Sequence, residues 1–298
     1  MSDLSINIDK PLKQEFIRLI NEQIQSAIDV LKDNEIDIEK SIHEARKSIK
    51  RIRALLKCIQ FAIKMSDYRR ENQFLRDIKN LISDIRESTV LIDTLEYCKK
   101  HNKKVVAEET FERLHQKLIR EKNKAINNYK KTNKLEQTID TYEIARIRLN
   151  NIDFIKTDSK SMIEGINKIY KKGRCLVNNC NKEKDSVMLH ELRKAMKYLW
   201  YQLSIFKNYW PELINTYTKN FERLSDLLGI EHDLYEIFLY LSQNGTIKEK
   251  KDIIPYVIKE SDNIKSKFHK EARLLFAEKS KFFNKKFEGL LSLSQNYQ

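Results

Sequence analysis

Five basic side chains follow one another at spacings of three and four residues in the segment SIHEARKSIKRIRALLKCIQ, residues 41–60. They are His43, Arg46, Lys50, Arg53 and Lys57. On an α-helix these side chains fall within a strip about 80° wide and about 20 Å long, at the edge of an apolar face. No acidic side chain lies in the strip, so its charges repel one another unless an anion lies among them. The spacing therefore predicts binding of an extended polyanion.

The three residue types in this strip contact phosphate in different ways. Arg makes paired hydrogen bonds to two phosphate oxygens, whereas Lys is a mobile point charge. His donates a hydrogen bond, and its charge changes near neutral pH. A strip of this length suits a phosphate-bearing polymer better than one small phosphate.

The same pattern returns 147 residues later in the chain. The segment IHEARKSIKRIRALL, residues 42–56, aligns without gaps with LHELRKAMKYLWYQL, residues 189–203. His43, Arg46, Lys47 and Lys50 recur in the second copy as His190, Arg193, Lys194 and Lys197. Further on, FLRDIKNLISDIRE, residues 74–87, resembles FERLSDLLGIEHD, residues 221–233, when one gap is allowed. The chain is therefore predicted to consist of two related halves.

Long amphipathic helices are the elements that must position these strips. The 298 residues include 5 Gly and 3 Pro, and apolar residues recur with helical periodicity along most of the chain. The predicted helices cover residues 10–31, 38–65, 68–100, 103–131, 135–150, 159–179, 186–209, 211–242 and 247–287. We predict an all-α fold of two antiparallel four-helix bundles, related by internal pseudo-twofold symmetry, with a basic channel or groove. The bundles correspond to residues 7–150 and 158–291 of a single domain, 7–291.

Composition narrows the class of protein. Lys and Arg total 57 against 43 Asp and Glu, and the resulting net charge of +14 attracts polyanions. No apolar run reaches the roughly 20 residues needed to cross a bilayer, and the N-terminal MSDLSINIDK lacks the features of a signal peptide. The 4 Cys residues are too sparse for a disulfide framework in a chain of this length. These features predict a cytoplasmic protein with reduced thiols and no membrane span.

Further helices carry basic strips of the same kind. Their members are Arg113, Arg120 and Lys124 in one helix, Lys171 and Arg174 in a second, and Lys265 and Arg273 near the end of the chain. Sequence does not fix how a helix is rotated about its axis, so each strip either faces the channel or lies on a solvated surface. We predict that these residues extend the polyanion site.

At the residues described above the sequence resembles the CHAD family, named for a histidine-containing α-helical domain. The first family motif, His-x-x-Arg-Val-x-x-Arg-Arg-Leu-Arg, corresponds to HEARKSIKRIR, residues 43–53. The second, Leu-His-x-Leu-Arg-Lys-x-x-Lys-Arg-Leu-Arg-Tyr, corresponds to LHELRKAMKYLWY, residues 189–201. The third, Leu-Leu-Gly-x-x-His-Asp, corresponds to LLGIEHD, residues 227–233. The three motifs occur in the family order, and the resemblance extends over nearly the whole chain.

The resemblance implies a pair of four-helix bundles enclosing a basic channel that binds inorganic polyphosphate. The basic motif positions are matched by His43, Arg46, Lys50, Arg53, His190, Arg193 and Lys197. Tyr198 and Trp200 replace expected basic residues, so the second strip is expected to hold phosphate less tightly than the first. The alternating Glu-x-Glu-x-Lys strand of the triphosphate-tunnel (CYTH) domain, a frequent fusion partner, is not found. The resemblance thus implies a stand-alone module without a cofactor, in the cytoplasm and able to associate with polyphosphate granules.

Nucleic-acid binding, to RNA or single-stranded DNA, is the main alternative. The same cations contact phosphates in any polymer, and Tyr198, Trp200 and Tyr201 lie near the second strip as candidates for base stacking. Other polyanions are further candidate ligands, and the oligomeric state is left open.

Metal binding and catalysis are disfavoured. A metal-chelating histidine domain is conceivable, but Arg and Lys surround His43 and His190 and disfavour a cation there. The alternative for His232 is a structural role, capping or packing a helix turn. No P-loop, Gly-rich loop or catalytic set of residues is found, so no enzymatic activity is predicted.

Overall fold

The computed structural model describes residues 4–7, 10–101, 107–179 and 186–296. Within these ranges the chain forms eleven α-helices and no β-sheet, so the predicted all-α fold is confirmed. The helices are α1 Leu12–Lys32, α2 Ile38–Cys58, α3 Met65–Leu81, α4 Ser83–His101, α5 Glu108–Lys131, α6 Lys134–Asn150, α7 Ser159–Asn179, α8 Ser186–Ser204, α9 Pro211–Asn244, α10 Ile247–Leu275 and α11 Ser280–Asn296. Among the described residues, none of these helices combines the length and the apolar character needed to span a lipid bilayer.

The predicted helix 68–100 is divided in the structure into α3 and α4. At Ile82 the backbone angles are φ −119° and ψ 26°, which are not helical. The Ile82 carbonyl oxygen accepts a hydrogen bond from Arg46 Nη1 of α2 at 3.1 Å. The break therefore presents a backbone acceptor to the α2 strip, a long-range effect that helical periodicity does not report.

The larger remaining differences from the predicted helices lie at the ends of α2, α8 and α10, and α8 ends at Ser204 instead of residue 209. α2 ends at Cys58, and the chain then turns so that the Ala62 carbonyl oxygen accepts a hydrogen bond from the Ile155 amide at 2.8 Å. α10 ends just before Phe276, which is buried, and α11 follows as a separate helix. The ends of α2 and α10 both depend on contacts with distant parts of the chain. The predicted start of α5, residues 103–106, lies outside the described residues.

The same helix pairs pack together in both halves of the chain. In the first half α1 packs on α2 and α6, α2 packs on α3, and α4 packs on α5. In the second half α7 packs on α8 and α11, α8 packs on α9, and α9 packs on α10. α1 and α7 also begin and end 147 residues apart, which is the offset of the sequence repeat. The division into two bundles related by a twofold axis stays a prediction.

Both halves contribute to the two hydrophobic cores. The larger core includes Ile49 of α2, Tyr170 of α7 and Leu199 of α8, and the smaller core lies among α4, α5, α9 and α10. α2 and α7 approach so closely that a Cβ at Gly165 would overlap the Cys58 carbonyl oxygen. α2 also packs directly on α8. The two motif helices are therefore fixed beside each other by a shared core, while the domain boundaries stay a prediction.

Candidate functional site

A cavity of about 470 Å³ opens between α2, α3, α7 and α8. Among the described residues that line it, seven are Lys or Arg and one, Glu191, is acidic. The seven cations are Arg53, Lys57, Arg76, Lys79, Lys168, Lys172 and Lys194. We refer to this space as the basic cavity. So many like charges around one opening make it the strongest candidate for an anion site in the described part of the chain.

The rotation of α2 brings its basic strip to this opening. The Asp37 side chain caps the first turn by accepting a hydrogen bond from the Glu39 amide at 2.8 Å. Ile42, Ile49 and Leu56 are fully buried on one face. All five residues of the strip are half-buried, because they lie on the flank of that apolar face. Burial of the apolar residues thus determines where the cations point.

The α2 cations that line the basic cavity are held by neutral groups. Arg53 Nε donates a hydrogen bond to Asn72 Oδ1 at 3.2 Å, and Lys57 Nζ donates one to the Tyr68 hydroxyl oxygen at 2.9 Å. Lys57 Nζ also lies 5.6 Å from the ring centroid of Tyr68 and 5.1 Å from that of Tyr198. Neither cation has a carboxylate partner within the described ranges. These contacts orient the two charges without neutralising them.

Lys50 and Arg46 continue the α2 strip beyond the basic cavity. Lys50 makes no hydrogen bond or ion pair with the described residues, and Arg193, Arg46 and Lys79 are among the cations around it. Burial and these like charges lower the pKa of Lys50 from 10.5 to about 7. Burial and neighbouring cations also lower the pKa of Lys57, to about 8. An anion bound beside these lysines would favour their charged forms.

The Gly-x-x-His-Asp segment of α9 packs against His190 and Arg193 of α8. The Arg193 guanidinium lies against Gly229, where a Cβ would come within 3.3 Å of Nη2. The rings of His190 and His232 have centroids 4.5 Å apart. Burial raises the pKa of Asp233 to about 6, although the nearby Arg193 opposes this. Because α9 is unbroken here, His232 packs against His190 and does not cap a helix end.

Burial favours the neutral forms of the motif histidines in the ligand-free protein. Burial and, next in size, the nearby charge of Arg86 together lower the pKa of His43 to about 4. Burial lowers the pKa of His232 to about 4, with His190 as the next cause, and it also lowers the pKa of His190. In the unbound state these lowered pKa values place the change of charge of His43 and His232 below neutral pH. These side chains remain available as neutral hydrogen-bond donors.

Two lysines of the α8 motif have carboxylate partners, in contrast to the α2 strip. Lys194 pairs with Glu191 one turn earlier in the same helix. Lys197 Nζ lies 2.8 Å from Asp226 Oδ1 and 4.3 Å from the ring centroid of Trp200. Their charges are thus partly neutralised within the protein.

Twelve of the sixteen predicted binding residues do not line the basic cavity: His43, Arg46, Lys50, Arg193 and Lys197 lie elsewhere on α2 and α8, and seven others lie on other helices. The seven on other helices are Arg113, Arg120, Lys124, Lys171, Arg174, Lys265 and Arg273. Arg113 Nε lies 3.4 Å from Glu249 Oε1, and Lys265 Nζ lies 3.2 Å from Glu231 Oε1. Arg120, Lys124, Lys171 and Arg273 are exposed. Their contribution to polyanion binding stays a prediction.

Four cations of the basic cavity were not among the predicted binding residues. Arg76 and Lys79 come from α3, and Lys168 and Lys172 come from α7. Their spacings of three and four residues are visible in the sequence. On α7 the prediction favoured Lys171, but burial of the apolar face of α7 turns Lys168 and Lys172 toward the cavity instead.

The chemistry offered by the basic cavity is positive charge and hydrogen-bond donation. Alongside the cations, the side chains of Gln60, Asn72, Asn80 and Tyr68 provide neutral polar groups. Within the described ranges, no three His, Cys, Asp or Glu side chains are grouped in a way that could hold a metal ion.

A family model described as the CHAD domain matches residues 22–236, a range that contains α2, α8 and the Gly-x-x-His-Asp segment. The chain belongs to the CHAD domain family. The predicted resemblance is thereby confirmed. No match was found among curated proteins.

Two solved structures share the fold of this CHAD protein. The crystal structure of the CHAD domain from the plant Ricinus communis aligns with a TM-score of 0.58 and 13% identity, covering 93% of this chain and 96% of that chain. PptA from Streptomyces chartreusis aligns with a TM-score of 0.63 and 10% identity, covering 90% of this chain and 98% of that chain. At these identities the likeness shows the fold alone.

Proposed function

We propose that this CHAD protein binds inorganic polyphosphate in the basic cavity and along the adjoining α2 strip, as a binding module without enzymatic activity. The observation that supports this most is the group of cations without carboxylate partners where α2 packs on α8, namely Arg53, Lys57 and Lys50. Half-buried like charges are costly, and a polyanion among them would offset that cost. Membership of a family associated with polyphosphate points to the same ligand.

The length of the strip favours a polymer over a single phosphate. From Arg46 to Lys57 the α2 strip extends about 16 Å along the helix axis. Lys79 of α3, Lys172 of α7 and Lys194 of α8 border the same cavity from other helices. A chain of phosphates would therefore meet cations from several sides at once, whereas one phosphate would contact only a few of them.

The aromatic side chains near the site favour polyphosphate over RNA or single-stranded DNA. Proteins that bind single strands stack bases on open aromatic faces. Here Lys57 lies over the rings of Tyr68 and Tyr198. The Trp200 ring has Lys197 at one side and stacks on Tyr201, with centroids 4.7 Å apart. These faces are already in contact with other side chains, so phosphate recognition without bases fits the site better.

A competition titration at physiological salt tests this proposal. Labelled polyphosphate is bound to the full chain and displaced either by unlabelled polyphosphate or by single-stranded DNA of equal total charge. We expect nanomolar to micromolar affinity for polyphosphate, a steep loss of affinity with salt, and much weaker displacement by DNA. Equal displacement by the two polymers would favour nucleic-acid binding, and no binding of polyphosphate would refute the proposal.

The proposed ligand also leads to a proposal for where the protein works in the cell. We propose that the protein works in the cytoplasm and associates with polyphosphate granules, with other polyanions as weaker ligands. Granules isolated from cells with and without polyphosphate synthesis would test this. The protein should co-purify with granules in the first case and be absent from the same fraction in the second.

A further inference from the structure

Glu191 is unusual among the described residues that line the basic cavity, because it is the one acidic side chain beside seven cations. Its Oε2 accepts a hydrogen bond from Lys172 Nζ of α7 at 2.5 Å. Its Oε1 pairs with Lys194 of its own helix. One carboxylate thus holds two of the seven cations that a ligand in this cavity would contact.

Glu191 is ionised at any pH near neutrality, because its pKa lies far below that range. Burial raises the pKa of this carboxyl, but the hydrogen bonds from Lys172 and Lys194 outweigh burial and bring the pKa to about 2. The Glu191 side chain is 32% exposed, so its carboxylate can move away from the two lysines into solvent. This movement would not expose a large apolar group to water.

We infer that Glu191 is an internal counter-anion of the basic cavity, which a phosphate chain must displace from Lys172 and Lys194 before it can bind them. This inference rests on the proposed function. Glu191 and the phosphate groups carry the same charge and use the same donors, so they compete for the two lysines. Glu191 therefore lowers the affinity for polyanions, and it also occupies the lysines when no ligand is bound.

The internal repeat supplies a counterpart that lacks this arrangement. Glu44 stands 147 residues before Glu191 and pairs with Lys47, at 2.9 Å, in the same i,i+3 relation. The counterpart of Lys172 is Gln25, and within the described ranges Glu44 forms an ion pair with Lys47 but with no second lysine. Glu44 is also absent from the lining of the basic cavity. Neutralising either Glu changes the net charge equally, but only Glu191 competes with a ligand for cavity lysines.

The first test compares Glu191→Gln with Glu44→Gln in the full chain, with polyphosphate of one defined length as the probe. We expect Glu191→Gln to bind polyphosphate about three- to tenfold more tightly than the unmodified protein, and Glu44→Gln to bind it within about twofold. An unchanged or weaker affinity of Glu191→Gln would overturn the inference, because it would mean that Glu191 only positions the lysines. Equal tightening in both variants would also overturn it, because net charge alone would then explain the effect.

A double-mutant cycle with Lys172→Ala provides a second measurement. If Glu191 competes for Lys172, removing this lysine should weaken binding more in the Glu191→Gln background than in the unmodified protein. An equal loss in both backgrounds would contradict competition at Lys172. Failure of the unmodified protein to bind polyphosphate would instead refute the proposed function, so the two failures are distinguishable.

Discussion

The helices α2 and α8 carry the same sequence motif, but their cations have different partners. On α2, Arg53 and Lys57 donate to neutral oxygens, and Lys50 has no partner among the described residues. On α8, Lys197, the counterpart of Lys50, pairs with Asp226, whereas the Lys194–Glu191 pair only repeats the Lys47–Glu44 pair of α2. The two copies of one motif therefore differ in how much positive charge they leave available.

A repeated motif thus sets the types of residue at a site but not the balance between its positive and negative charges. In the first copy, positions 53 and 57 are Arg and Lys, whereas the second copy has Trp200 and Ser204 there. Position 79 is a Lys, but 147 residues later Asp226 faces Lys197. The α2 side thus provides most of the available charge, and the sequence expectation of a weaker second strip gains a structural reason. The following experiments test whether this difference between α2 and α8 controls polyphosphate binding.

The largest effect is expected from removing both α2 cations of the basic cavity. The double variant Arg53→Ala, Lys57→Ala should weaken polyphosphate binding by roughly 100-fold, because each loses a charge-assisted contact with phosphate. Titration calorimetry would measure the affinity, and circular dichroism would check that helicity is kept. The matched control is Lys130→Ala, Lys131→Ala at the exposed end of α5, which removes the same charge outside the predicted site and should change affinity less than about threefold. A similar loss in the control would place the binding surface outside the cavity.

Lys50 and Lys197 are repeat-related lysines and allow a direct comparison of the two copies. Lys50→Ala should weaken binding about tenfold, because its ammonium has no internal partner to lose. Lys197→Ala should weaken binding about twofold, since Asp226 already neutralises that charge. Both affinities would be measured by the same titration. Equal effects of the two variants would show that internal pairing does not distinguish the copies.

We expect the pH dependence of polyphosphate binding to arise from the titration of Lys50 in the α2 strip. Without ligand the pKa of Lys50 is about 7, so above that pH the side chain is mostly neutral and must take up a proton when phosphate binds. Affinity should therefore fall as pH rises, by about fivefold between pH 7 and pH 9, because Lys50 supplies only part of the binding free energy. The Lys50→Arg variant stays charged, so its affinity should fall less over the same range. A profile in the variant as steep as in the unmodified protein would assign the titration to other groups, such as Lys57.

The smallest effect is expected from removing the carboxylate that pairs with Lys197 of α8. Asp226→Asn removes the carboxylate that pairs with Lys197 and should tighten polyphosphate binding by about twofold. Combining it with Lys197→Ala should abolish this gain, because the released charge is then absent. A gain that persists in the double variant would mean that Asp226 acts at a distance through net charge.

Local sequence predicted much of this fold and part of its candidate site. The apolar periodicity of α1, α2, α5, α6, α7 and α8 reports burial of one helix face, which is a local property of consecutive residues. It also located the α2 strip, because Arg46, Lys50 and Arg53 lie beside Ile49 and Leu56 whatever the helix packs against. The break at Ile82 was not predicted, since it depends on contacts between α3, α4 and α2.

Residue type and spacing along the chain predict most of the helices, the internal repeat, the excess of positive charge and the two motif strips, because each of these is a local property of the sequence. Only the tertiary structure decided that Lys79, Lys168 and Lys172 join Arg53 and Lys57 in one cavity, while the other basic strips do not. It also decided which cations are neutralised inside the protein. Helix rotation and ion pairing depend on which distant elements pack together, and spacing within one helix carries no information about that.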